Sequence, residues 1–215
     1  MYVGRIVSVA LTQDGRICGI YRVSSRSFPN RRAVLAETSV SIVPKPGHEA
    51  DVHKNPYIAY NCIRLACDRQ VAVVTNGSQT DPIAEKIDMG VPARDALAAT
   101  LLALDYEKDA YNTPRICAVV DRRSPCAGWL GVVREDGLDV RRMPLEPGKF
   151  FYVATYEEHR PELAYTGDFH VAQAEQACGF ILGEGVFKER EHPVSAAAAL
   201  AIEDGFELAA RDMTE

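Results

Sequence analysis

No stretch of about 18 consecutive apolar residues occurs in this chain, so no segment reads as a membrane span. No C-x-x-C pair and no H-E-x-x-H motif is present, and the histidines at 48, 53, 159, 170 and 192 follow no other ligand spacing, so no metal site is expected. Cysteines are few and solitary. Cys18, Cys62, Cys67, Cys117, Cys126 and Cys178 each stand in an apolar segment, which predicts reduced, buried thiols. A Gly-rich phosphate loop, a Walker motif and a G-x-S-x-G elbow are all missing. Positive charge is also short: Lys and Arg total 24 against 30 Asp and Glu, a net charge of −6. That excludes a general polyanion binder, so no nucleic-acid partner is expected. The imbalance is too mild for the acid-coated surface of an extreme-salt protein. The opening "MYVGRIVSVALTQDG" is a short apolar run broken by Arg5, without the charged and long apolar regions of a signal peptide. A cytoplasmic location is therefore expected. "NGS" at 76–78 matches a glycosylation sequon and reads as coincidental in such a chain.

What is present is an ordinary globular composition. The 215 residues are 47% hydrophobic and 25% charged, enough for one domain spanning 1–215 with a sizeable core. Strand signals come first: "VGRIVSVAL" and "RICGIYRVS" flank the turn signal Asp14-Gly15, and "AVLAETSVSIVP" follows. A polar loop covers 45–56. Then "YIAYNCIRLAC" and "QVAVVTNGS" pair around Asp68-Arg69. Asp81-Pro82 opens a helix that Gly90 ends, and Pro92 opens another with Ala93, Leu97, Leu101 and Leu104 at helical spacing. Two helices thus fill roughly 81–109. Strands return in "RICAVVD", "AGWLGVVRE", "LDVRRMPL" and "KFFYVATYEE", with a hairpin at Asp136-Gly137. Two closing helices are expected, one over 172–183 and one in "HPVSAAAALAIEDG", capped by Ser195 and ended by Gly205. Hairpins, helices, hairpins, helices predict an α+β fold: two antiparallel sheets stacked face to face with helices outside, a four-layer α-β-β-α sandwich. A two-layer fold with one large sheet is the alternative.

Some stretches carry more polar chemistry than a core requires. "YRVSSRSFPNR", 21–31, holds Arg22, Arg26 and Arg31 with three serines. Strand alternation places Tyr21 on one face and Arg22 and Arg26 on the other, and Arg31 follows the Pro29-Asn30 turn. Guanidinium forks and hydroxyls suit phosphate, although a solvated strand edge with salt bridges has the same composition. In "NPYIAYNCIR", Tyr60 and Asn61 point to opposite faces; a core strand with satisfied hydroxyls explains it equally well. "TNGSQTD" puts Asn76 where a strand runs into a helix N-terminus, a place for polar substrate edges or for a plain cap. Asp105, Glu107 and Asp109 follow a helix C-terminus, where acids oppose the macrodipole; one of them suits a general base.

These segments, with "MYVGRI", "TNGSQTDPIAEKI", "LLALDYEKDAYNTPRI" and "HPVSAAAA", resemble in order the archaeal-type inosine monophosphate cyclohydrolases. The resemblance covers essentially the whole chain and is weakest over 121–170. It implies an N-terminal nucleophile hydrolase-like fold without a processed nucleophile, which suits the start Met1-Tyr2. It implies ring closure of 5-formamidoimidazole-4-carboxamide ribotide to inosine monophosphate and water, the last step of de novo purine synthesis. It further implies no cofactor or metal, no membrane partner and a homo-oligomer. By the same resemblance, Arg22, Tyr60 and Glu107 are catalytic candidates, while Arg26, Asn30 and Arg31 hold phosphate and ribose. Asn61 and Asn76 would read the base edge, and Tyr21 and Asp105 are neighbours in the substrate site. An amidohydrolase of the same architecture acting on a linear C–N amide, or a non-catalytic nucleotide-binding module, are the competing functions.

Overall fold

A computed structural model describes residues 1–213. Two antiparallel sheets form its centre. The first half supplies β1 (Ile6–Leu11), β2 (Ile17–Ser24), β3 (Arg31–Leu35), β4 (Ser39–Pro44), a short helix α1 (Asp51–Lys54), β5 (Tyr60–Ala66) and β6 (Val71–Thr75). Helices α2 (Thr80–Asp88) and α3 (Ala93–Leu104) follow. The second half contributes β7 (Arg115–Asp121), β8 (Ala127–Arg134), β9 (Gly137–Pro144), β10 (Lys149–Ala154), β11 (Thr166–Asp168), α4 (Ala174–Gly183), β12 (Pro193–Ile202) and β13 (Gly205–Asp212). A six-stranded sheet runs β11-β10-β1-β2-β12-β13, and a seven-stranded sheet runs β3-β4-β5-β6-β7-β8-β9.

Three apolar layers separate four structural layers. Val7, Val9 and Val23 from the six-stranded sheet meet Ile42, Val74 and Leu130 from the other in the central layer. The opposite face of the six-stranded sheet, with Ile6, Ile20 and Ala198, packs on Ala177 and Ile181 of α4. Val73 and Val119 on the outer face of the seven-stranded sheet pack on Ile83, Leu97 and Leu101 of α2 and α3. The expected α-β-β-α sandwich is what forms. Two glycines let the sheets approach: a Cβ on Gly128 would lie 2.7 Å from Val9, and one on Gly19 would lie 2.8 Å from a Val74 methyl.

The second closing helix does not form. "HPVSAAAALAIEDG" is strand β12, paired to β2 on one side and β13 on the other. Ala196 and Ala198 face α4, while Ala197 and Ala199 face the other sheet. Two ladders of hydrogen bonds and burial on both faces outweigh helix propensity of under about 1 kcal/mol per residue. Ser195 is therefore a strand residue, and Gly205 turns the β12–β13 hairpin with φ of 139°. Other boundaries shift. "AVLAETSVSIVP" folds back on itself as β3 and β4, and the loop at 45–56 contains α1. Helix α3 stops at Leu104 because Asp105 takes φ of 57° and accepts the Tyr106 N–H. Of the cysteines, Cys126 is exposed and Cys67 half-buried; the other four are buried.

Candidate active site

Arg5 breaks the apolar start of the chain just before β1, and it is almost entirely buried. A buried guanidinium demands a partner. Its partner is Glu107, in the loop after α3: Nη1 donates to Oε1 at 3.1 Å and Nη2 to Oε2 at 2.7 Å. Arg5 Nη1 also reaches the Asn76 carbonyl at 3.1 Å. Burial alone lowers the Arg5 pKa, but Glu107, Tyr60 and Tyr21 override it and hold the guanidinium charged, well above its ordinary value. Glu107 is 1% exposed and has a second cation nearby, Arg115 Nη1 at 3.9 Å.

Asn76 scaffolds this corner. Its Oδ1 accepts from the Ile116 N–H at 2.9 Å and from Gln79 Nε2 at 2.7 Å, and its Nδ2 donates to the Pro114 carbonyl at 2.9 Å. Fully buried in this way, the sequon asparagine offers no glycan attachment. Gln79 Oε1 in turn accepts from Arg115 at 3.0 Å. Tyr21 and Tyr60, on facing sheets, join hydroxyl to hydroxyl at 2.5 Å. Burial first, and then Tyr60 nearby, push the Tyr21 phenol well above the usual tyrosine range.

Arg5 and Glu107 line a small inner cleft of about 90 Å³. Ser24, Ser25, Ser27 and Arg31 form another wall, and Tyr57, Thr113 and Tyr156 complete it. An outer recess of about 430 Å³ shares Tyr2, Ser27, Tyr111 and Tyr156 with it, so the two adjoin. Arg31 is 4% exposed and forms no ion pair among the described residues; its Nε donates to the Phe28 carbonyl at 3.0 Å, leaving the terminal nitrogens of the fork uncommitted. Arg26 stands at the rim of the outer recess. It lies over the Tyr2 ring at 4.2 Å and pairs with Glu191 at 3.3 Å.

The fold places Glu107 and Arg31 on the cleft wall and Arg26 at the rim of the outer recess; Asn76, bonded to Arg5, and Tyr21 and Tyr60, buried in the central apolar layer, line neither. It sends the other candidates elsewhere. Arg22 points away from Tyr21, as strand alternation requires, into the layer under α4. There it donates to the carbonyls of Ile181, Leu182, Phe187, Arg190 and Glu191, at distances from 2.6 to 3.4 Å. Burial and the neighbouring Arg190 bring its pKa down to about 10, so it remains a cation at neutral pH. Asn61 faces α2, where its Nδ2 donates to Asp81 at 2.9 Å. Asp105 pairs with Lys108 in solvent, and Asn30 contributes a carbonyl to Lys45 at 2.9 Å. None of these four lines the cleft. Arg5 and Arg115 were not among the sequence candidates. Arg5 did carry a signal: a lone charge inside an apolar strand pattern.

Among the described residues no group of three or more His, Cys, Asp or Glu is placed to hold a metal ion, and no helix is long and apolar enough to cross a membrane. The family described as IMP cyclohydrolase-like protein matches residues 2–205. The chain belongs to this family. Similar proteins named IMP cyclohydrolase come from methanogens. That of Methanocella arvoryzae is 48% identical over 97% of this chain and 96% of its own. That of Methanosphaera stadtmanae is 46% identical over 93% of this chain and 94% of its own. That of Methanocaldococcus jannaschii is 42% identical over 98% of this chain and 99% of its own.

Proposed function

We propose that this chain closes the ring of 5-formamidoimidazole-4-carboxamide ribotide to give inosine monophosphate and water, with the reaction in the inner cleft. Family membership supports the reaction. The observation that supports its location is Arg31: a buried cation that forms no ion pair among the described residues, beside Ser24, Ser25 and Ser27, is a seat for an anion. A ribotide phosphate fits that role, with Arg26 adding charge at the rim. The ligand is larger than the inner cleft, so it extends into the outer recess.

In the reaction the carboxamide nitrogen bonds to the formyl carbon, the formyl oxygen takes up negative charge, and that oxygen leaves as water with one proton from the carboxamide nitrogen and one from the formamido nitrogen. Amide nitrogen is a poor nucleophile, so alignment carries much of the rate. Arg5 is the donor proposed for the developing oxyanion. Glu107 holds it there: both carboxylate oxygens already accept from Arg5, which makes fixing that fork its first role. Tyr60 is the proposed proton donor to the departing oxygen. When Tyr21 donates to Tyr60, the Tyr60 proton is not taken up by that contact. Arg22, turned toward α4, is a structural cation in this reading. We read the four layers as the N-terminal nucleophile hydrolase-like arrangement and the six free thiols as those of a cytoplasmic enzyme.

Incubation of the purified protein with the formylated ribotide, followed by the ultraviolet absorbance of inosine monophosphate, tests this directly. Stoichiometric conversion is expected. Binding of the ribotide without product overturns the reading.

A further inference from the structure

A second recess lies on the outer face of the seven-stranded sheet, and it shares no lining residue with the cleft. Strand register builds its floor. Val73 pairs with Val119, Val119 with Trp129, and Trp129 with Arg142, making one row across β6 to β9. Helices α2 and α3 cover most of this face, but their connection at Gly90–Pro92 leaves the Trp129 end open. The recess that results holds about 450 Å³. Val71, Val119 and Ala127 make it apolar, and Trp129, the only tryptophan in the chain, stands half-buried in it.

Its rim has the opposite character to the rest of the molecule. In a chain of net charge −6, Arg94, Arg123 and Arg142 all border this recess, and among the described residues Asp121 is the one acid that does. Asp121 engages Arg123 at 2.7 Å and Arg94 pairs with its neighbour Asp95 at 2.6 Å, whereas Arg142 forms no ion pair among the described residues. A flat apolar floor with an indole takes an aromatic ring, and arginines beside it take an anion. A nucleoside monophosphate carries both groups, a flat ring and an anion. We propose that this recess is a second binding site for a purine nucleoside monophosphate, separate from the cleft where the ring closes.

The lone tryptophan supplies the test. Inosine monophosphate and adenosine monophosphate, titrated separately, are expected to change Trp129 fluorescence with saturation. Inosine and inorganic phosphate, each lacking half of the recognition, are expected to bind at least about tenfold more weakly. The response should vanish in Arg123→Ala/Arg142→Ala while ring closure continues. Ser124→Phe, which fills the recess from the β7–β8 turn and leaves the arginines in place, should abolish it as well. Arg31→Ala, which impairs the cleft, should leave the response intact. The proposal is overturned if neither nucleotide gives a saturable change, or if the change survives the recess variants.

Discussion

Arg5 and Glu107 face each other fork to carboxylate, at 3.1 and 2.7 Å, although 102 positions separate them in the sequence. The pair joins the start of β1 to the loop after α3, and both partners are almost fully buried. Breaking it from one side leaves a buried charge without compensation, which costs about 3–5 kcal/mol. Glu107→Gln is therefore expected to lower the urea midpoint sharply and to abolish ring closure. Arg5→Met/Glu107→Leu, which removes both charges, should be more stable than either single variant and equally inactive. Equal instability of the double and single variants would show that the pair matters through packing alone.

Arg22 separates a structural cation from a catalytic one. It supplies donors to five carbonyls at the end of α4 and in the segment that follows. Buried carbonyls left without donors cost about 1–3 kcal/mol each, and solvent will recover part of that. Arg22→Met should melt well below the parent protein. At a temperature where it is folded, its kcat should stay near that of the parent. A folded variant with kcat down a hundredfold would return Arg22 to the reaction.

Arg31 and Arg26 should differ in kind. Arg31 is buried in the inner cleft with free terminal nitrogens; Arg26 is exposed and already shared between Tyr2 and Glu191. Losing a charged hydrogen bond to phosphate weakens binding by roughly 1.5–3 kcal/mol, so Arg31→Ala should raise the ribotide Kd by about 10- to 100-fold. Arg26→Ala should raise it only a few-fold. Calorimetry with the dephosphorylated nucleoside should show little change for either variant. Equal loss for ribotide and nucleoside would assign Arg31 to the fold.

Most of the sandwich was legible because hairpin turns and alternation are local: Asp14-Gly15 and Asp136-Gly137 both turn hairpins. The alanine run of β12 was not, because its strand state comes from α4 on one face and a sheet on the other, and neither is written in the segment itself. The site divides the same way. Alternation alone separates Tyr21 from Arg22 and Tyr60 from Asn61, so all four could not share one cleft. Glu107 stood out as an acid past a helix end. Its partner Arg5 was visible only as an interruption in a strand, and nothing local ties position 5 to position 107.

Alkaline pH should unfold this protein earlier than its net charge suggests. Burial pushes the Tyr21 phenol and the Cys62 thiol far up, and Cys178 to about 12. Unfolded thiols ionise near pH 8.5 and phenols near pH 10, while the folded groups keep their protons. The unfolded state then binds fewer protons, so stability falls as pH rises above about 8.5 and is flat below it, as far as these groups are concerned. Urea midpoints measured from pH 7 to 11 should show this decline. Tyr21→Phe should flatten the part above pH 10; an unchanged slope there would mean that Tyr21 ionises freely in the folded protein.

The Tyr21–Tyr60 contact gives the most direct test of the chemistry. The two hydroxyls are 2.5 Å apart, and either can be the donor. Tyr60→Phe keeps the ring and orphans the Tyr21 hydroxyl, which costs about 1–3 kcal/mol of stability. Tyr21→Phe orphans Tyr60 in the same way. The double variant leaves no hydroxyl to orphan, so its stability should be higher than the sum of the single losses predicts. Catalysis should follow another pattern. If Tyr60 donates to the departing oxygen, Tyr60→Phe lowers kcat on the order of 10²–10³-fold and leaves inosine monophosphate affinity nearly unchanged. Tyr21→Phe removes only the supporting hydrogen bond and should lower kcat by about tenfold, with Tyr60 still able to donate. The double variant should then be no slower than Tyr60→Phe, because the support has nothing left to act on. Equal kcat losses for the two single variants would make Tyr21 as much a donor as Tyr60. Near-parental turnover in Tyr60→Phe would leave Arg5 to stabilise the oxygen without it.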